Sequence, residues 1–161
     1  MIYTIGYSTR TLSEFLTTIK EYKIDFLIDV RSRPWSRNAP FNYEKIINWV
    51  KLNDMGYSFC GEILGGQSIY PIDHKQYISS LEQILDMSNS KTIALMCAEG
   101  HPQDCHRTWD VGASILVRWG ELVTSIKRDG TDECIMDSLK RVKSSNINPN
   151  IKEEILQLIA I

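Results

Sequence analysis

Short apolar runs alternate with amphipathic segments along the chain, and this pattern predicts strands that alternate with helices. Ile2 to Gly6 and Ile24 to Val30 are short apolar runs that predict strands, the second continuous enough to be central. Between them, Thr11 and Glu14 have the spacing of a capping box, which indicates a helix start. The apolar stripe of that helix consists of Leu12, Phe15, Leu16 and Ile19.

The same alternation continues through the middle of the chain. Asn42 is placed to cap a second helix that ends near Gly56, Tyr57 to Cys60 predicts a brief strand, and Asp73 begins a third helix. The apolar positions are Ile46, Ile47, Trp49, Val50 and Leu52 in the second helix and Tyr77, Leu81, Ile84 and Leu85 in the third.

A buried strand from Thr92 to Met96 leads into the most chemically dense part of the chain, the polar loop Cys97 to Arg107. A helical pattern resumes after this loop at Trp109, Val111, Ile115, Leu116 and Trp119. A strand from Leu122 to Ile126 follows, and Asp129-Gly130 is a turn signal.

The last segments, Ile135 to Val142 and Ile151 to Ile159, have helical patterns, and Pro149 lies near the start of the second. The whole order predicts one α/β domain over residues 1–161. Its core spans about 2–126, and a helical extension spans about 133–161. We expect a three-layer α/β/α sandwich with a mainly parallel central sheet, Rossmann-like in kind.

Composition fits a globular protein, because 43% of the 161 residues are hydrophobic and 24% are charged. No apolar run approaches the roughly 20 residues of a membrane span, and the N-terminus reads directly as a strand rather than as a signal peptide. The 4 cysteines are expected to be reduced thiols in a cytoplasmic protein. A net charge of −2 does not by itself demand nucleic acid, and no cofactor is indicated.

Polar clusters follow four of the predicted strands. Because parallel strands end at one edge of a sheet, residues far apart in sequence are expected to share one rim. The clusters are Tyr7 to Arg10, Arg31 to Arg37, Glu62 to Gly66, and Cys97 to Arg107.

The arginines of these clusters favour an anion site, since a guanidinium matches phosphate, sulfate or carboxylate. Arg107 supports this hypothesis, because a cation in the first turn of a helix is unfavourable unless an anion is also present. The alternative is that Arg31 pairs with Asp29 or Glu62 and the others are solvated. The candidate arginines are Arg10, Arg31, Arg33, Arg37 and Arg107.

The thiols Cys97 and Cys105 are candidate nucleophiles, because a strand end beside a helix N-terminus and an arginine lowers a thiol pKa. Phosphatase and rhodanese loops place the cysteine about six residues before an arginine, a spacing that neither cysteine has with Arg107. Cys97 is alternatively a small buried hydrophobe. Glu99 and His106 are a candidate acid–base pair.

Zinc is a further alternative, with Cys97, Cys105 and His106 as ligands and Cys60 or His101 as a fourth. The chain lacks a C-x-x-C spacing, and the neighbours Cys105 and His106 are expected to point in different directions on a helix. No residue is therefore assigned as a metal ligand.

Three of the 4 tryptophans are expected to serve packing rather than base stacking. These are Trp35, Trp49 and Trp119.

Five motifs in order, TIGYSTR, LIDVRSRPWSR, NAPFN, LGG and CAEG with CHR, resemble the Domain of Unknown Function 488 family from about Ile2 to Ile126. Two departures are Tyr7, where members often have histidine, and a short segment from Gln67 to Asp73. The resemblance implies a compact α/β fold and no settled activity. The characteristic residues that match are Gly6, Ser8, Arg10, Asp29, Arg31, Arg33, Pro34, Ser36, Phe41, Leu64, Gly65, Gly66, Cys97, Glu99, Cys105, His106 and Arg107.

The leading functional hypothesis is an enzyme-like domain that binds an anionic ligand at the carboxyl ends of the strands, either an anionic small molecule or nucleic acid, with a nucleotide or a nucleic-acid phosphate favoured. The alternatives are a non-catalytic module that binds nucleic acid or a partner, and a small zinc-binding protein. The candidate ligand-binding residues are Ser8, Arg10, Arg31, Arg33, Gly65, Gly66 and Arg107. The candidate catalytic residues are Cys97, Glu99, Cys105 and His106.

Overall fold

The computed structural model describes residues 1–66 and 73–160 and contains a six-stranded sheet. The strand order is β3-β2-β4-β1-β5-β6; the first five are parallel, and β6 runs antiparallel to β5 at one edge. The predicted mainly parallel sheet is confirmed. The strands are β1 (Ile2–Gly6), β2 (Phe26–Asp29), β3 (Gly56–Phe59), β4 (Ile93–Cys97), β5 (Val123–Ile126) and β6 (Asp132–Cys134).

Helices cover both faces of this sheet. They are α1 (Leu12–Glu21), α2 (Tyr43–Leu52), α3 (Gly61–Leu64), α4 (His74–Ser88), α5 (Ala113–Trp119), α6 (Ile135–Leu139) and α7 (Lys152–Ile159). Within the described residues, none of these helices has the length and apolar character needed to cross a bilayer.

Two separate apolar clusters show that the molecule has three layers. Successive strand residues belong to opposite clusters: Leu27 packs with α1 and α2, whereas Ile28 packs with helices of the other face. The alternation is the expected one for strands buried on both faces. It confirms the predicted α/β/α sandwich.

The predicted start signals of the first two helices have different outcomes. Thr11 and Glu14 form the complete capping box at the start of α1. Asn42 is at the N-cap position of α2 but makes no capping hydrogen bond there. Its side-chain oxygen instead accepts a hydrogen bond from the backbone of Ser36 at 2.6 Å, so Asn42 fixes the loop after β2.

The region after β5 contains a short strand, β6, which the sequence did not predict and which precedes the predicted helix from Ile135. The predicted turn at Asp129-Gly130 is present, with Gly130 at a φ of 86°, and it returns the chain antiparallel to β5. Only three residues long and largely polar, β6 lacks the apolar run by which a strand is predicted. The following helix α6 ends at Leu139, three residues before the predicted Val142.

The helix after the polar loop begins with a π-helical segment, Arg107–Gly112, before it continues as α5. Such wider turns are rare and often lie at functional sites. Upstream, the register aligns Gly6 of β1 with Cys97 of β4, and Asp29 of β2 with Met96 of β4. The loops after these three central strands therefore leave the sheet side by side.

Candidate active site

A cavity of about 310 Å³ opens where β1, β2 and β4 end. It joins Arg31 and Arg33 after β2 with Cys97 and the loop after β4. The predicted convergence of these segments on one rim is thus present in the fold. The lining residues are Tyr7, Arg31, Ser32, Arg33, Trp35, Gly66, Cys97, Ala98, Glu99, Asp104, Cys105, His106 and Trp109.

Five other candidate residues in the described part of the chain do not line this cavity, namely Ser8, Arg10, Arg37, Gly65 and Arg107. Arg10 is buried, and its three side-chain nitrogens donate to Gly6 O, Thr18 Oγ1 and Lys127 O. This arginine ties β1 to α1 and to the loop after β5. Gly65 packs closely on Ser32 and Gly61, where a Cβ would not fit.

Arg31 pairs with Asp29, which is the alternative to an anion contact that the sequence left open. Nε and Nη2 donate to the Asp29 carboxylate at 2.8 and 2.6 Å, and Nη1 donates to Tyr7 Oη and Phe41 O. Burial by itself lowers the pKa of Arg31, but the Asp29 hydrogen bonds and charge raise it above its ordinary value. Arg31, held by this pairing, forms part of the cavity wall.

Arg107 is fully buried and is much less completely paired. Its Nη1 donates to Glu99 O at 2.8 Å, while Nε and Nη2 have no partner among the described residues. Gly6 permits this packing, because a Cβ there would lie 1.7 Å from Glu99 O and 3.1 Å from Arg107 Nη2. The guanidinium lies beneath the loop after β4 rather than in the cavity.

Cys97, Cys105 and His106 form the most compact chemical group of the cavity. Their two sulfurs and one ring nitrogen lie within 4.8 Å of one another. His106 Nδ1 is 3.9 Å from Cys97 Sγ and 3.6 Å from Cys105 Sγ. The expectation that Cys105 and His106 diverge on a helix is wrong, because Cys105 has extended backbone and the helix starts after it.

The three groups influence one another's protonation. Burial raises the pKa of Cys105, but hydrogen bonding with Cys97 and the charges of Arg107 and His106 bring its pKa well below the ordinary value. Hydrogen bonding with Cys105, together with burial, raises the pKa of Cys97. Burial lowers the pKa of His106, but its contacts with Cys105 raise it above the ordinary value overall. The pKa of Cys105 is thus lowered and that of Cys97 raised, which makes Cys105 the more acidic thiol of the two.

The outer part of the cavity carries exposed charged and aromatic side chains. Arg33, Glu99 and Asp104 are exposed. Trp35 is 67% exposed, so its expected packing role is wrong, and Trp119 is also exposed at 38%. Trp49, at 6%, is the one of the three that packs in the core. Trp35 lies in a polar segment without apolar periodicity, and this was the signal in the sequence that its side chain is exposed.

Sequence reasoning did not select six of the lining residues, Tyr7, Ser32, Trp35, Ala98, Asp104 and Trp109. Tyr7 stacks on Phe41 at 4.3 Å between ring centres and accepts from Arg31, so it supports the wall formed by Arg31. Asp104 ends a 3₁₀ turn, Pro102–Asp104, that shapes the loop. Their placement at the cavity depends on how the loops after β1, β2 and β4 fold, which the sequence pattern does not show.

The residues considered as a fourth zinc ligand lie elsewhere. Cys60 Sγ is 3.6 Å from Ser58 Oγ, and His101 lines a separate cavity beside Lys127 and Arg128. The cluster of Cys97, Cys105 and His106 therefore offers two sulfurs and a nitrogen, which suit either a thiolate nucleophile or a metal ion with a free position.

Comparison with known proteins adds a family and no activity. No curated protein and no solved structure matches the chain. The family described as Domain of unknown function DUF488 matches residues 11–109, which include β2, β3, β4 and the polar loop. Since the match covers more than half of the chain, the protein belongs to the DUF488 family.

Proposed function

We propose that the protein is an enzyme-like domain that binds a phosphate-bearing ligand, a nucleotide either free or at the end of a nucleic-acid strand, in the strand-end cavity. One observation carries the proposal: a single cavity at the carboxyl ends of β1, β2 and β4 combines an arginine with thiols, an imidazole and a carboxylate. Ligands of open α/β sheets bind outside these strand ends.

Arg33 is the group in this proposal that binds the phosphate. It is exposed, it lines the cavity, and its guanidinium makes no hydrogen bond or ion pair with any described residue. Arg31 is already paired with Asp29, so it supports the wall without offering its donors. Glu99 and Asp104 are also at the cavity, and their charges restrict an anion to the side of Arg33.

Trp35 supports a ligand that contains a base. An indole that is 67% exposed at the edge of a cavity leaves apolar surface in water unless something stacks on it. Stacking of a nucleobase on an aromatic side chain contributes about 1–3 kcal/mol. Arg33 and Trp35 are two positions apart, so phosphate and base recognition come from one loop.

The reactive centre in this proposal is the cluster of Cys97, Cys105 and His106 at the base of the cavity. Glu99 is exposed at the same cavity and is the group that transfers a proton to or from the ligand. Arg107 contributes a positive charge beneath the loop, which favours the thiolate.

Binding is tested by calorimetry and thermal shift with inorganic phosphate, mononucleotides, and short single-stranded DNA and RNA. A ligand at about 100 times its dissociation constant adds about 2.7 kcal/mol to the free energy of unfolding. Arg33→Gln and Trp35→Ala should each weaken binding by about tenfold or more. Arg37→Gln is the matched control, because Arg37 is exposed in the same loop but does not line the cavity.

Absence of binding by every phosphate-bearing ligand, or equal loss of affinity in Arg33→Gln and Arg37→Gln, would contradict the proposal.

The double variant Cys97→Ser and Cys105→Ser distinguishes an enzyme from a non-catalytic binding module. A binding module keeps its affinity and shows no turnover before or after the change, whereas an enzyme keeps its affinity and loses turnover.

A further inference from the structure

We propose that Cys97, Cys105 and His106 bind one zinc ion, whose fourth coordination position faces the strand-end cavity. The metal site stands on its own geometry. Its use on a phosphate-bearing ligand rests on the proposed function.

The two distances from the histidine nitrogen to the sulfurs are close to those of a tetrahedral zinc site, and all three ligand atoms lie within 4.8 Å of one another. Zinc binds sulfur at about 2.3 Å and nitrogen at about 2.0–2.1 Å, which places neighbouring ligand atoms about 3.5–3.8 Å apart. The observed separations from His106 Nδ1 are 3.6 Å to Cys105 Sγ and 3.9 Å to Cys97 Sγ. Little movement of the side chains is needed to accept the ion.

The second nitrogen of His106 is held as zinc-binding histidines are. Nε2 lies 2.7 Å from Val30 O at the end of β2. Because a carbonyl oxygen only accepts, Nε2 carries the proton, and in the neutral ring Nδ1 then presents its lone pair to the two sulfurs. A backbone carbonyl in this role fixes both the tautomer and the orientation of a metal ligand.

The backbone around the cluster also holds the ring in place. A Cβ on Gly66 would lie 2.7 Å from His106 Cγ and 2.9 Å from both Cβ and Nδ1, so only glycine allows this close contact. Cys97 ends the central strand β4 and is 5% exposed, and Cys105 is 1% exposed. The ligands are thus preorganised and largely buried, and they reach solvent only through the cavity that they line.

The ligand set indicates zinc and an open site. Two thiolates and an imidazole suit zinc, and their combined charge cancels that of the ion. Three protein ligands with one free position are typical of catalytic rather than structural zinc. All three residues line the cavity together with Glu99, so water or a ligand oxygen can take the fourth position.

The first test measures metal in the full chain, purified under reducing conditions without chelator. We expect about one zinc per chain, or restoration of about one after chelator treatment and dialysis against zinc. Cobalt in place of zinc should give thiolate charge-transfer absorption and the intense visible bands of tetrahedral coordination. Absence of zinc uptake and of these bands in reduced, folded protein overturns the proposal.

Variants then identify the ligands. Cys97→Ser, Cys105→Ser and His106→Gln should each reduce zinc affinity by about 100-fold or more, whereas Cys60→Ser and Cys134→Ser keep the wild-type stoichiometry and affinity. Circular dichroism of each metal-free variant shows whether it is folded. If a ligand variant does not fold, the cobalt spectrum of the wild type decides, because sulfur ligation is visible there without substitution.

The metal proposal and the proposed function fail separately. If the wild-type protein binds nucleotide but takes up no zinc, the metal site is overturned and the proposed function stands. Stoichiometric zinc lost in Cys97→Ser and Cys105→Ser supports the site even if no phosphate-bearing ligand binds. Zinc that survives both serine substitutions with unchanged affinity overturns the assignment.

Discussion

The loops after β2 and β4 each bury one guanidinium, but they surround it in opposite ways. Arg31 after β2 donates to a carboxylate, a tyrosine oxygen and a carbonyl. Arg107 after β4 has one carbonyl acceptor, and two of its nitrogens have no partner among the described residues. A buried charge is costly unless it is paired and hydrogen-bonded, so only Arg31 has the partners that offset the cost of its burial.

The two buried arginines therefore have different roles at the same sheet edge. Arg31 anchors the structure, and Arg107 acts on the reactive thiols. In the loop after β2, Arg31 and Asp29 neutralise each other and hold the cavity wall, and Arg33, which has no partner among the described residues, is exposed. In the loop after β4, the charge of Arg107 acts on the neighbouring thiols instead of on a carboxylate. Three substitutions sharpen this contrast.

Asp29→Asn should have the largest effect, because it leaves the Arg31 cation buried without a counter-charge. Breaking one partner of a buried pair costs about 3–5 kcal/mol in the free energy of unfolding, measured by urea denaturation. Arg33→Gln is the control and should change it by less than about 0.5 kcal/mol, because Arg33 is exposed. Similar losses in both variants would show that Arg31 and Asp29 do not anchor the fold.

Gly6→Ala should have the next largest effect, because the added Cβ would lie 1.7 Å from the backbone oxygen of Glu99. Relief requires the loop after β4 to shift, at a cost of about 2–3 kcal/mol. Gly112→Ala is a matched buried glycine whose nearest contact, at 2.5 Å, is the terminal methyl of Ile135.

Because that methyl belongs to a flexible side chain, Gly112→Ala should be the milder change. Thermal unfolding of the two variants measures the difference. A Gly112→Ala variant less stable than Gly6→Ala would mean that the loop after β4 yields easily, and would remove the basis for treating it as a rigid support of Cys97.

Arg107→Met should have the smallest effect on stability, within about 1 kcal/mol, since it removes an incompletely paired buried charge along with one hydrogen bond. Its effect on Cys105 should be clear. Burial raises the pKa of this thiol, but Cys97, Arg107 and His106 lower it overall, so losing the cation moves the pKa upward.

Alkylation of chelator-treated protein across pH, followed by mass spectrometry, measures this shift. Wild-type Cys105 should react below pH of about 8.5, the ordinary thiol pKa, and the midpoint should rise in Arg107→Met. Cys60 is an internal control, because burial raises its pKa and the charge of Arg107 does not contribute to that shift. An unchanged Cys105 midpoint would show that Arg107 does not act on the thiol.

Local signals in the sequence were sufficient for most of the fold. The continuous apolar runs identified β1, β2 and β4, and the Thr11–Glu14 pair identified the start of α1. Strand β6 carried no such signal, because a short polar edge strand is stabilised by pairing with β5 rather than by its own apolar residues. The prediction for Trp35 was wrong because residue type alone does not determine exposure, and the polar segment around it was the better signal.

The sequence by itself determined the layer order, the parallel sheet and the convergence of the polar loops on one edge, since periodicity and strand direction are local or topological properties. Only the tertiary structure decided what each loop residue does there. Arg31 pairs with Asp29, Arg107 lies beneath the loop, and Cys105 joins His106 and Cys97 because a 3₁₀ turn and extended backbone fold the loop back. Such contacts depend on distances between residues that are remote in sequence, and no spacing rule supplies them.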